Sequence, residues 1–318
     1  MPILIVNAIF YNILMTNTVS TSATSQPPRK LSTLVLACLL ATWVVWGSTY
    51  LAIKFALISL PPFIQMGSRF IVAGALLLGW MKWRGATMPT FIEWRNALVV
   101  GTLMLGIGMG GVAYSEQTVA SGLVVSFIAV QPMWQALLQS IWKVYPAKFE
   151  ILGIIVGAIG VSMLVQGQGF GASTQGLIAI TLAIICWGLG SVLSQRVTPL
   201  AKGATGFASE MLMGGVVLLG MSAIAGETIK TPIDSKAFIA WVYLVVFGSL
   251  VAFNAYMVLL EKASPALATS YSFVNPIIAL ALGVWFANEI ITKWEWLSAF
   301  VIVLGVVMIV FANIKKQR

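Results

Sequence analysis

The sequence has no histidine, and only 8% of its 318 residues are charged. Without histidine there is no imidazole for a metal site or for proton transfer near neutral pH. A soluble domain carries about a quarter charged residues, so a water-solvated globule is excluded. Cysteine is equally scarce. Cys38 and Cys186 both lie inside apolar runs and read as small buried hydrophobes, with no metal-ligand or disulfide spacing around them. No cofactor is implied. Clustered acids of the kind an enzyme would use are also missing, and no large polar loop offers itself as a sensor or docking module. Residues 1–15 are apolar but lack the basic start of a signal peptide, and 16–28 are rich in Ser, Thr and Pro. Residues 1–32 are therefore expected to form a disordered N-terminal extension, as from an upstream start codon.

What remains is 59% hydrophobic, with a mean hydropathy of +0.97. This is the composition of an all-α polytopic membrane protein. Ten runs are long enough for a hydrocarbon core of about 30 Å. They fall near 33–57, 63–82, 95–115, 119–142, 149–166, 175–196, 204–225, 237–260, 264–286 and 295–313, followed by a basic tail at 314–318. The net charge of +9 does not point to nucleic acid, because its placement matters more than its sum. With a cytoplasmic N-terminus, Lys54, Lys230, Lys236 and Lys293 stay outside, Arg69 lies within span 2, and the other Lys and Arg face inward. That asymmetry predicts both termini in the cytoplasm.

The two halves repeat. Ser68-Arg69-Phe70 with Gly74 and Gly79 matches Ser209-Glu210-Met211 with Gly215 and Gly220 at a spacing of 141 residues. Trp46-Gly47 matches Trp187-Gly188 at the same spacing. Five spans per half is an odd number, so the second half is inverted relative to the first. Inverted repeats are a transporter signature, with the solute site where broken helices of the two halves meet near the midplane. Four breaks are expected: Trp46-Gly47, Gln131-Pro132, Trp187-Gly188 and Asn275-Pro276. Around Asn275-Pro276, Thr269, Tyr271, Ser272 and Asn275 share one helical arc, which is read as facing a wet interior.

Candidate solute-binding residues follow from this frame. Trp46, Ser48, Thr49 and Tyr50 adjoin the first expected break, and Trp187 the third. Their rings offer faces for aromatic or cationic groups; the competing reading is close helix packing through Gly47 and Ser48. Gln131, Gln135 and Gln139 form a stripe at i, i+4, i+8, either lining a path or bonding neighbouring helices. Tyr271, Ser272 and Asn275 on span 9, and Asn254 and Tyr256 on span 8, complete the set. Arg69 and Glu210 are charges inside spans, which marks a functional hypothesis by default. The inversion sets their backbones about 12 Å apart in height in a core of about 30 Å. Local partners are therefore expected, Arg69 with Glu116 at the outer gate and Glu210 with Lys262 at the inner one. Without such a partner, Glu210 would be the natural proton carrier.

WGSTYLAIK in span 1, SRFIVAGALLL in span 2 and SPALATSYSFVNPIIALALG in span 9 resemble the drug/metabolite transporter superfamily, in particular its exporter family with paired EamA domains. The resemblance covers about residues 32–313. It implies two inverted five-helix EamA repeats, at 33–166 and 175–313, and a central cavity lined by spans 1, 3, 4, 6, 8 and 9. It also implies export of small metabolites or toxic organic compounds from the inner membrane. Asn288-Glu289 has no counterpart in the first repeat. Two further readings remain: a facilitative permease without ion coupling, and a membrane-embedded enzyme. Phosphorylated solutes are disfavoured, because a phosphate site needs converging cations. Neutral or cationic organic solutes, amino-acid-like or aromatic, fit the midplane better. The expected partners are such a solute, the lipid bilayer and protons as a coupling ion.

Overall fold

In the computed structural model of the chain, residues 32–119, 124, 127–165, 173–287 and 293–316 are described. The expected extension at 1–32, apart from Ser32, and the Asn288-Glu289 pair lie outside them. The described residues form helices and connecting turns without strands. The helices are α1 (Thr33–Ala56), α2 (Pro62–Trp83), α3 (Phe91–Ser115), α4 (Gln131–Ser140) and α5 (Lys148–Val165). They continue with α6 (Thr174–Arg196), α7 (Ala204–Ala225), α8 (Ser235–Lys262), α9 (Tyr271–Ala287) and α10 (Lys293–Lys316). Six of these, α1–α3 and α6–α8, are by themselves long and apolar enough to cross a membrane.

The helix starts repeat as the sequence does. Ser32 caps α1 by accepting from Val35 N, and Ser173 caps α6 by accepting from Gly176 N. Thr90 forms a capping box with Glu93 at the start of α3, and Asp234 accepts from Lys236 N and Ala237 N at the start of α8. Each cap satisfies backbone donors that the first turn leaves free. Within α3 the winding loosens to a π-helix over Thr102–Met109, and within α8 over Leu244–Phe253.

Packing obeys the same symmetry. α1 lies against α8 and α9, while α6 lies against α3 and α4; α2 pairs with α7, and α5 with α10. Exchanging each helix with its counterpart five places on leaves this set unchanged, as two inverted five-helix repeats require. The self-paired helices approach closely. A Cβ added at Gly305 of α10 would stand 2.6 Å from Gly157 N of α5, and one at Gly74 of α2 would stand 2.9 Å from Ala208 O of α7. Small residues at such crossings let backbones meet where no hydrophobic force drives association.

The breaks differ from expectation. α1 and α6 run unbroken through Trp46-Gly47 and Trp187-Gly188. Glycine tolerates a helix interior when packing compensates its weak propensity. Here Gly47 admits Ile278 of α9, whose Cβ would stand 2.5 Å from a methyl at that position, and Gly188 admits the Trp134 ring of α4. Close packing, the competing reading of Gly47, accounts for both sites. The other two interruptions exist but lie earlier in the chain. Span 4 turns at 129–130, placing Pro132 in the first turn of α4. Span 9 turns at 269–270, between a short helix Pro265–Ala268 and α9, so Pro276 sits inside a continuous helix. A proline ring disturbs the carbonyl four residues before it, which for Pro132 is that of Ile128, next to the turn; the turn in span 9 lies further before Pro276 than that reach.

Candidate functional site

The centre of the bundle holds four rings in mutual contact. Trp46 of α1 lies 4.7 Å from Tyr271, 5.1 Å from Tyr256 and 5.6 Å from Trp187, centroid to centroid. Tyr256 in turn lies 5.3 Å from Trp187 and 5.6 Å from Tyr271. Edge and tilted contacts of this kind are the favoured aromatic geometry. The polar atoms are held as well. Trp46 Nε1 donates to Gly248 O at 3.4 Å, Trp187 Nε1 donates to the Tyr256 hydroxyl at 3.2 Å, and Ser191 Oγ lies 3.0 Å from that hydroxyl. Helices from both repeats, α1, α6, α8 and α9, thus meet in one rigid cluster.

Above the cluster lies a cavity of about 50 Å³, counted as space for the centres of water-sized molecules. A single water needs about 10–15 Å³, so the cavity has room for a few waters. Trp46, Thr49, Tyr50 and Ile53 line it from α1, at the i, i+3, i+4, i+7 spacing of one helical face. Gly108, Met109 and Val112 come from α3, Ile128 and Gln131 from span 4, Ala183, Ile184 and Trp187 from α6, and Tyr271 from α9. Following the helix directions, the space extends from the rings toward the end of the bundle opposite the chain termini. The apolar lining residues escaped the sequence reading, which sought polar side chains; the stripe from Trp46 to Ile53 was the signal for them.

Of the twelve candidate binding residues, Trp46, Thr49, Tyr50, Gln131, Trp187 and Tyr271 border this space. Gln131 Nε2 is buried without a partner. Tyr256 backs the wall through its ring contacts. Asn275 stands one shell further out, with Nδ2 3.4 Å from the Tyr50 hydroxyl and Oδ1 unpartnered. Gln135 is fully buried with neither amide atom partnered.

The remaining three have structural partners instead. Ser48 points at α8, with Oγ 2.6 Å from the Tyr243 hydroxyl. Asn254 donates back to Leu250 O at 2.9 Å within its own helix. Ser272 donates to Thr269 O at 2.9 Å, while Ser270 and Thr269 donate to Leu267 O and Pro265 O. Of the polar arc of span 9, Thr269 and Ser272 therefore satisfy carbonyls at the break, while Tyr271 borders the cavity and Asn275 stands beside Tyr50. Gln139 bonds Gln195 and accepts from Arg196, which makes it a tie between helices. Span 8, expected among the lining helices, contributes the ring of Tyr256 behind the wall.

The two expected gate pairs do not form among the described residues. Arg69 is 1% exposed, and its Nε and Nη1 meet no acceptor; both carboxylate oxygens of Glu116 and of Glu210 are likewise unpartnered. Glu116 feels the charge of exposed Lys54 and in turn acts on Tyr50. Lys262, also exposed, acts on Cys38 at the start of α1. The inversion argument fixed the heights of Arg69 and Glu210 but not the direction in which each side chain leaves its helix. Arg69 turns toward α8: a Cβ at Gly248 would stand 4.0 Å from its Nη1. Glu210 acts in turn on Tyr256 of the ring cluster. Gln65, one turn before Arg69, and Ser249 are also buried with unpartnered polar atoms, and sequence reasoning named neither.

Comparison with known proteins adds the following. The EamA-like transporter family model matches residues 32–166 and again 174–311. The uncharacterized inner membrane transporter YedA of Escherichia coli is 39% identical over 276 residues, covering 86% of this chain and 90% of its own. Protein PecM of Dickeya dadantii is 25% identical, with 77% of this chain and 82% of its own covered. A solved crystal structure at 17% identity superposes with a TM-score of 0.74 over 91% of this chain and 100% of its own, a likeness of fold.

Proposed function

Since the chain belongs to the EamA-like transporter family, it is a multi-pass membrane transporter, and we propose that it exports small organic solutes from the cytoplasm by alternating access. The observation that carries this reading is the cavity at the meeting of the two repeats, walled by Trp46, Trp187 and Tyr271 and entered by one unpartnered amide, Gln131. Aromatic faces suit flat or cationic groups, and a single amide suits a neutral polar one. Both termini lie in the cytoplasm on this reading, so the ring cluster closes the cytoplasmic side and the cavity extends outward. An inward state would exchange the roles of the two repeats, as inverted topology permits.

Coupling to protons is the second part of the proposal. Both Glu210 carboxylate oxygens are unpartnered among the described residues, which supports a proton-carrying role over a paired gate. Glu210 is then a buried carboxyl without a counter-ion, the kind of group that takes and releases a proton as its surroundings switch. A facilitative permease is the alternative. Transport by wild type and Glu210→Gln in proteoliposomes, with and without a pH gradient, separates them. Loss of gradient-driven accumulation with exchange retained supports coupling at Glu210; unchanged accumulation contradicts it. The export reading itself is tested by a screen of cells carrying wild type or Trp46→Ala against a metabolite and drug library. Wild-type cells should release or resist at least one small organic compound, and the variant should not.

A further inference from the structure

The protein buries one guanidinium to which none of its described residues offers a counter-ion. Arg69 on α2 is 1% exposed, and Nε and Nη1, on different edges of its fork, lack acceptors. A guanidinium does not shed its proton in a protein, and a buried charge without a partner is costly. None of the acids pairs with it among the described residues. The Glu116 and Glu210 carboxylates meet no donor, and Glu227 accepts from Phe63 N and Ile64 N at the start of α2. The Phe70 ring, 4.5 Å from Cζ, is the partial compensation the fold supplies.

We propose that Arg69 anchors the carboxylate of the transported solute, reached from the central cavity past Gly248, so that the cargo is a small aromatic or apolar monocarboxylate, zwitterions included. This rests on the transport reading above. Gly248 is the partition. A Cβ there would stand 3.3 Å from Thr49 Cγ2 and 4.0 Å from Arg69 Nη1, and its carbonyl accepts from Trp46 Nε1. Thr49 and Trp46 both line the cavity. The empty side-chain position of Gly248 therefore lies between the guanidinium and Thr49 of the cavity wall. It lies in the π-helical stretch of α8, a winding found mostly at functional sites.

Further buried donors stand on the same two helices. Gln65, on the same face of α2 one turn earlier, is fully buried with both amide atoms unpartnered. Ser249, beside Gly248, has an unpartnered buried hydroxyl. A fork with one positive charge and neutral donors around it matches one carboxylate; a phosphate dianion would leave a negative charge over. The aromatic wall then takes the rest of the solute.

The test uses three probes on one skeleton: phenylalanine, 3-phenylpropionate and phenethylamine. Binding is measured on the full-length protein in nanodiscs. The two carboxylates should bind, with phenethylamine at least about tenfold weaker, the scale of one lost charge-assisted hydrogen bond. Arg69→Gln should weaken both carboxylates by about tenfold or more and leave phenethylamine unchanged. Gly248→Val keeps the charge but fills the passage, so it should weaken the same two probes, and it carries the test should Arg69→Gln fail to insert. Phenethylamine binding as tightly as phenylalanine, or carboxylate binding untouched in the variants, overturns the proposal and leaves the transport reading standing. Wild type that binds none of the three also overturns it, and the export screen with Trp46→Ala then decides separately whether the transport reading falls too.

Discussion

Arg69 and Glu210 burden the fold before they serve it. Each is buried with unpartnered polar atoms, and a buried charge without a partner is costly to the fold. Arg69→Met and Glu210→Gln are therefore expected to raise the thermal midpoint in detergent. A fall in either would mark that residue as a helix anchor whose charge the fold requires. Trp46→Ala should act the other way. Its ring touches three others, and truncating a packed tryptophan costs about 3–5 kcal/mol, so the midpoint should fall along with transport. These residues differed in how far the sequence exposed them. Trp46 and Trp187 were legible as aromatics at mid-span, and Arg69 and Glu210 as charges within spans. Gln65 and Ser249 were not, because an amide or hydroxyl becomes notable only when its neighbours fail to bond it, which spacing does not reveal.

At the scale of the helix, the ten apolar runs were readable because membrane thickness dictates their length. The local winding was not. Trp-Gly pairs suggested breaks, yet α1 and α6 continue, since Ile278 and Trp134 fill the space the glycines leave. Proline gave the right spans but the wrong residues: Pro132 is tolerated in the first turn of α4, and Pro276 sits inside α9. The π-helical stretches in α3 and α8 carry no compositional mark. Gly47→Ala should force the Ile278 side chain aside; overpacking of this kind costs about 1–3 kcal/mol, lowering the midpoint. Gly220→Ala, where an added Cβ meets nothing within 4 Å, should be neutral or slightly stabilising. Equal midpoints for the two variants would show that α1 and α9 are not in close contact.

For the whole molecule, the inverted repeat governs both packing and site. Exchange of helices between repeats preserves the contact pattern, and the cavity draws its walls from both halves. The inversion was legible from the 141-residue repeat and the odd span number; the collapsed state of the cavity was not, since side-chain closure depends on all five lining helices together. Cysteine labelling in a variant lacking Cys38 and Cys186 should find 116–119 and 226–234 outside and 84–90 and 197–203 inside; the reverse or a mixed pattern would discard the orientation. The central claim is that solute passes through the cavity above the four rings, and counterflow in proteoliposomes tests it most directly. Val112→Phe adds bulk to a lining position in a cavity of about 50 Å³. The account predicts that wild type exchanges a solute found in the export screen and that this variant, inserted in equal amount, does not; exchange at the wild-type rate by Val112→Phe would contradict it.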